Sequence, residues 1–66
     1  MHAIFRLDDG TIACHPISYW MIFSDGKEAD VYLVDDDPLE FRDGEWKFAG
    51  DLVEILEISP DIRRFM

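Results

Sequence analysis

The 66-residue chain contains a single cysteine, Cys14, which excludes an internal disulfide framework. A domain without such support depends on its apolar core, and at this size folding buries only about 60% of the surface of the unfolded chain. We therefore expect one domain, residues 1–66. A lone thiol is also typical of a reducing compartment, so we expect a cytoplasmic protein.

Long apolar runs are missing as well. No segment approaches the roughly 18 apolar residues of a membrane span. The N-terminal sequence MHAIFRLDDG lacks the basic region and apolar stretch of a secretory signal. We expect a soluble protein with no membrane partner.

Basic residues are scarce: six lysines and arginines stand against 15 aspartates and glutamates, and the net charge is −9. Such a chain is repelled by nucleic-acid backbones and attracted to basic protein surfaces. Residues 25–57 hold twelve of the acids and three of the bases, which again gives −9. We expect no direct binding to nucleic acid.

What the chain does contain is a strand-and-turn pattern. Three Asp-Gly pairs, Asp9-Gly10, Asp25-Gly26 and Asp43-Gly44, each lie between apolar, β-favouring residues. Because Asp-Gly suits a two-residue hairpin loop, the pattern predicts three hairpins. The expected fold is mainly β, a small antiparallel sheet or partial barrel.

Two-residue loops also predict which residues face each other. In the first hairpin Leu7 is expected opposite Ile12 and Phe5 opposite Cys14, with His15-Pro16 ending the strand. The second hairpin is expected to place three residue pairs on the core face and a group of aromatic and acidic residues on the outer face. The third hairpin is expected to form two apolar and two charged pairs. The second-hairpin core pairs are Ile22 with Ala29, Trp20 with Val31 and Ser18 with Leu33. The outward set is Tyr19, Met21, Phe23, Glu28, Asp30, Tyr32 and Val34. The third-hairpin pairs are Phe41 with Trp46, Leu39 with Phe48, Glu40 with Lys47 and Arg42 with Glu45.

Residues 51–58 fit either a strand or a helix capped by Asp51, so an α+β fold stays open. The pattern slightly favours a strand, followed by a short helical turn after Ser59-Pro60. In both cases Glu54 and Glu57 are expected to point outward.

The pattern contains no strong catalytic or metal motif. Cys14-His15 lacks a second ligand pair at zinc-site spacing, so a buried thiol beside a histidine is favoured. Asp35-Asp36-Asp37 lacks the spacing of a calcium loop, so an exposed turn is favoured. So small a core can hardly enclose a catalytic pocket. We expect no enzyme activity, cofactor or metal.

The acidic surface remains as the candidate binding site. A rigid row of carboxylates can occupy a groove whose lysines and arginines bind phosphates, so a nucleic-acid mimic acting as a monomer is expected. The predicted partner-binding residues are Asp25, Glu28, Asp30, Tyr32, Asp35, Asp36, Asp37, Glu54 and Glu57.

The chain, with its short length, single cysteine and DVYLVDDDPLEFRDGE surface, resembles the small acidic anti-CRISPR proteins of phages. The resemblance implies a non-enzymatic inhibitor in a bacterial host that binds a type I CRISPR surveillance complex. Its partner would be the large subunit of that complex, where it would block target DNA recognition.

An alternative is a general bacterial or phage interaction module whose charge serves solubility alone. The segment YWMIFSDGKEADVYL resembles the hairpin of small bacterial accessory domains. Tyr19, Phe23 and Tyr32 would then be the anchors for a partner.

Overall fold

The computed structural model describes residues 1–23 and 27–58, which form strands and turns without a helix. Each strand pairs antiparallel with the next, and the last pairs with the first, so the sheet closes into a barrel. The mainly β prediction is confirmed; the barrel is closed rather than partial. The strands are β1 (His2–Arg6), β2 (Ile12–Ile22), β3 (Ala29–Leu33), β4 (Leu39–Arg42), β5 (Glu45–Phe48) and β6 (Asp51–Glu57).

The third hairpin has the predicted register in all four pairs. Asp43 and Gly44 form its loop with φ of 54° and 79°. Positive φ at both positions is the requirement of a type I′ turn. The Asp25-Gly26 loop of the second hairpin and the predicted turn after Ser59-Pro60 lie outside the described residues.

The first hairpin differs from the prediction by one residue. Its loop is three residues long, because the Leu7 amide donates to the Thr11 carbonyl (2.8 Å) and the Gly10 amide to the Leu7 carbonyl (3.0 Å). With Gly10 at φ 90° this is a turn followed by a bulge, the common three-residue hairpin loop. Phe5 therefore faces Ala13 instead of Cys14, and Ile12 faces Arg6 instead of Leu7. The thiol of Cys14 is exposed, so the predicted buried thiol was also wrong.

Strand β2 does not end at Pro16, as predicted, but continues to Ile22. Its first half pairs with β1 and its second half with β3. Pro16 lies where the pairing changes sides, so its missing amide hydrogen removes little from either ladder. Its carbonyl accepts a hydrogen bond from the Val34 amide (3.0 Å).

A β-bulge at Ser18 reverses which side of β2 faces the core. Ile17 pairs with Leu33, whereas Tyr19 pairs with Tyr32, so Ser18 is the extra residue. The predicted Ser18–Leu33 pair was wrong, while Trp20–Val31 and Ile22–Ala29 are confirmed. Because side chains alternate, the bulge lets Ile17 pack inward although Tyr19, two residues on, points outward.

The barrel interior is filled by buried apolar side chains from four strands, β1, β3, β4 and β5, and by Ile58, which follows β6. Phe41 packs on Trp46 with ring centroids 5.0 Å apart. Glu54 and Glu57 are exposed, as predicted. The buried apolar residues are Ala3, Phe5, Ala29, Val31, Leu33, Leu39, Phe41, Trp46 and Ile58.

Candidate partner-binding surface

Several exposed or partly exposed apolar side chains lie on the outer side of β2 and β3 and on the residue that follows each strand. We call it the apolar patch: Tyr19, Met21, Phe23, Tyr32 and Val34. Tyr19 and Tyr32 stack with ring centroids 4.4 Å apart and planes 16° apart. Tyr19 is 53% exposed even so. These side chains point outward, as the hairpin pattern predicted.

Arg42 organises the charged groups beside this patch. Its guanidinium donates to the Asp30 carboxylate (2.8 Å) and to the backbone carbonyls of Ala29 (3.0 Å) and Phe41 (2.8 Å). It also lies 3.2 Å from Glu28. Asp30 directly faces Glu40 across the sheet, and this like-charge pair would be destabilising without a cation between them. The hydrogen bond to Asp30 raises the pKa of Arg42 above its usual value.

This arrangement corrects two predictions. Arg42 faces Glu45 in register, but the ion pairs found for it among the described residues go to Glu28, Asp30 and Glu40. Glu28 and Asp30, both predicted to bind a partner, therefore share Arg42 with Glu40, which compensates part of their negative charge. The Asp30 side chain is only 14% exposed, so little of its surface is accessible to a partner protein.

A second group of carboxylates lies at one end of the barrel. Leu39, Phe48 and Asp51 stand in one row across β4, β5 and β6, so the β3–β4 and β5–β6 turns are neighbours. We call their carboxylates Asp35, Asp36, Asp37 and Asp51 the acidic end. Residues 34–38 and 49–51, which form the two turns, contain no lysine or arginine.

One carboxylate of the acidic end anchors it to the core. Asp36 accepts a hydrogen bond from the Asp37 amide (2.8 Å), and its second oxygen lies 3.4 Å from Nδ1 of His15. The His15 ring stacks on Phe5 and Phe48, each with ring centroids 5.7 Å away. Asp35 and Asp37 remain exposed on a turn that is held in place.

The other predicted site residues do not join this surface. Glu54 and Glu57 lie on β6, three strands from β3 and so on the opposite side of the ring. Glu54 bonds Arg6 there. Asp25 lies outside the described residues. The predicted site thus divides into the acidic end next to Tyr32, the group around Arg42, and a separate pair on β6.

Three residues of this surface were not predicted from the sequence. Arg42 was paired with Glu45 alone, because the Asp-Gly pattern did not predict that β4 also pairs with β3. That pairing brings Arg42 to Asp30. His15 was expected at a strand end, and its contact with Asp36 is non-local. Asp51 joins the acidic end only through the Ala49-Gly50 turn, where Ala49 adopts φ 52°. Alanine gives no signal for such a turn.

A cleft of about 330 Å³ is lined by Lys27, Glu28, Phe41, Asp43 and Gly44. Within the described ranges no three His, Cys, Asp or Glu side chains are grouped as metal ligands. Nor do those ranges include a helix of the length and apolarity that crossing a membrane requires.

Comparison with protein-family models, with curated proteins and with solved structures found no significant match.

Proposed function

We propose that the protein is a non-enzymatic inhibitor that binds a basic, nucleic-acid-binding protein surface through its acidic end. The observation that carries the proposal is the grouping of four carboxylates on two neighbouring turns that contain no lysine or arginine. Carboxylates on turns of a closed sheet lose little conformational entropy on binding. This favours their association with a surface of complementary charge.

The partner is a groove whose lysines and arginines bind phosphates. Displacing counterions from such a groove favours a folded polyanion as it favours DNA. In line with the anti-CRISPR resemblance, we propose the large subunit of a type I CRISPR surveillance complex. The inhibitor acts as a monomer in the bacterial cytoplasm and blocks recognition of target DNA.

A second candidate is a general interaction module that docks through the apolar patch. The observation in its favour is the outward-facing, stacked Tyr19–Tyr32 pair beside Met21, which is 46% exposed. Aromatic residues are frequent anchors of protein interfaces. Such a module binds with little dependence on salt, because its contacts are chiefly apolar.

A gel-shift competition tests the first candidate. The protein is added to a purified type I surveillance complex before the target duplex, as wild type and as Asp35→Asn/Asp36→Asn/Asp37→Asn. We expect the wild type to abolish the shift. The triple variant should need a concentration at least about tenfold higher for the same inhibition, because it loses several contacts that imitate those of phosphates.

The matched control is Asp8→Asn/Asp43→Asn/Glu57→Gln, which removes the same charge from exposed positions elsewhere. It should inhibit like the wild type. If both triple variants lose inhibition equally, overall charge and not the acidic end is responsible. An unchanged shift with the wild type contradicts the proposed partner.

A further inference from the structure

The outer wall of the barrel already holds one arginine between a ring and carboxylates. The guanidinium carbon of Arg42 lies 5.3 Å from the ring centroid of Phe23. The same group donates to Asp30 and pairs with Glu28. Ring and carboxylate together satisfy both the flat face and the N–H edge of a guanidinium.

The other end of the same wall repeats these components. The stacked Tyr19–Tyr32 pair presents aromatic surface, Val34 is 44% exposed, and the chain then enters the acidic end at Asp35. Both arginines of the described strands are committed elsewhere, Arg6 to Glu54 and Arg42 to Asp30. Among residues 1–23 and 27–58, rings and carboxylates are present here without an arginine.

The bulge at Ser18 is what creates this end of the patch. Without the extra residue, the Ile17–Leu33 register would continue and place Tyr19 opposite Val31, facing the core. With it, Tyr19 stacks outward on Tyr32. Bulges of this kind commonly re-aim side chains at binding sites.

The negative charge of the acidic end determines which kind of partner can bind there. A second copy of this chain would bring another net charge of −9 against the acidic end, and like charges brought together oppose association. A segment that carries arginine next to apolar residues is complementary to both halves of the surface.

We propose that Tyr19, Tyr32 and the acidic end hold an arginine side chain of the partner protein. Its guanidinium lies against the tyrosine pair, its N–H groups donate to Asp35 or Asp37, and neighbouring apolar residues cover Val34. The inference rests on the proposed function, because it names the contact through which the same acidic end recognises its basic partner.

The test is chemical-shift mapping of the ¹⁵N-labelled full chain with a five-residue peptide of alternating leucine and arginine. The matched probe replaces both arginines by citrulline, which keeps the shape and removes the charge. We expect saturable shifts centred on Tyr19, Tyr32, Val34 and Asp35–Asp37 with the arginine peptide, and at least fivefold weaker binding of the citrulline peptide.

Two variants locate the site. Tyr19→Leu should weaken arginine-peptide binding roughly three- to fivefold, the size of an exposed cation–π contact. Leu52→Ala, at an exposed position on β6, should leave it unchanged. Equal binding of the citrulline peptide, equal shifts at Glu54 and Glu57, or no effect of Tyr19→Leu would overturn the inference. So would patch shifts that depend on protein concentration without peptide, which indicate a second copy as the occupant.

The two proposals fail separately. Inhibition in the gel shift without arginine-peptide binding leaves the proposed function standing and refutes the tyrosine–arginine contact. Peptide binding at the named residues without inhibition supports the contact and refutes the nucleic-acid-binding partner.

Discussion

Arg42 shows how much a single residue contributes on a surface that is otherwise acidic. It joins β3 and β4 through two backbone carbonyls, and its positive charge reduces the repulsion between Asp30 and Glu40. Hydrogen bonds to a charged group contribute about 1.5–3 kcal/mol each at most, and less where solvent reaches them.

Replacing Arg42 by methionine, which keeps the apolar stem, should therefore lower the free energy of unfolding by about 1–3 kcal/mol. Urea denaturation measures the change. Lys47→Met makes the same charge change on exposed β5 and should cost less than about 0.5 kcal/mol. Equal losses in the two variants would mean that overall charge, and not the Arg42 contacts, matters.

Asp9 gives a pH-dependent prediction at the same scale. The side chain and the amide of Thr11 donate hydrogen bonds to its carboxylate, the latter at 2.8 Å, and they lower the pKa of Asp9 below its usual value. This contribution to stability is present above the unfolded-state pKa, about 3.9, and is lost as pH falls through the lower folded value.

An NMR titration of the side-chain carboxyl carbons should find Asp9 titrating below a usual aspartate. Thr11→Val, which removes the hydroxyl donor and keeps the amide, should move the pKa upward. Thr11→Ser keeps both donors and should preserve the low value. A wild-type Asp9 pKa at or above the usual value would contradict the hairpin geometry.

At the scale of elements, local turn chemistry determined how well the strands could be predicted. Asp43-Gly44 forms the two-residue loop that its sequence favours, and its hairpin is correct throughout. Asp9-Gly10 looks the same in sequence but belongs to a three-residue loop, because Gly10 there follows the turn instead of completing it. The bulge at Ser18 likewise depends on the pairing of β2 with two different strands.

The turns also give a pair of predictions of opposite sign. Gly44 has φ 79°, and a Cβ added there would meet no other atom, so Gly44→Ala should cost about 1–2 kcal/mol through backbone strain alone. Ala49 has φ 52°, so Ala49→Gly relieves backbone strain in the folded state. Part of this gain is offset by the greater conformational entropy of glycine in the unfolded chain, and the free energy of unfolding should rise by about 0.5–1 kcal/mol. Thermal denaturation measures both. Two changes of the same sign would refute the turn assignments.

At the scale of the whole molecule, closure and charge placement are the features that the sequence predicts least. Closure requires β1 to pair with β6, with Phe5 facing Ile55, and no local pattern specifies so distant a contact. The sequence did predict the net charge and the exposure of Asp35–Asp37. It could not predict that Arg42 neutralises Asp30 or that Asp51 lies beside the β3–β4 turn, since both depend on the closed arrangement.

The salt dependence of binding tests most directly whether the acidic end binds a basic groove. Fluorescence anisotropy of the labelled protein with the purified surveillance complex gives Kd at a series of salt concentrations. We predict that log Kd rises steeply with log salt for the wild type, and much less steeply for the triple Asp35–Asp37 asparagine variant. A wild-type Kd that is independent of salt would show that the acidic end does not drive binding, and would favour docking through the apolar patch alone.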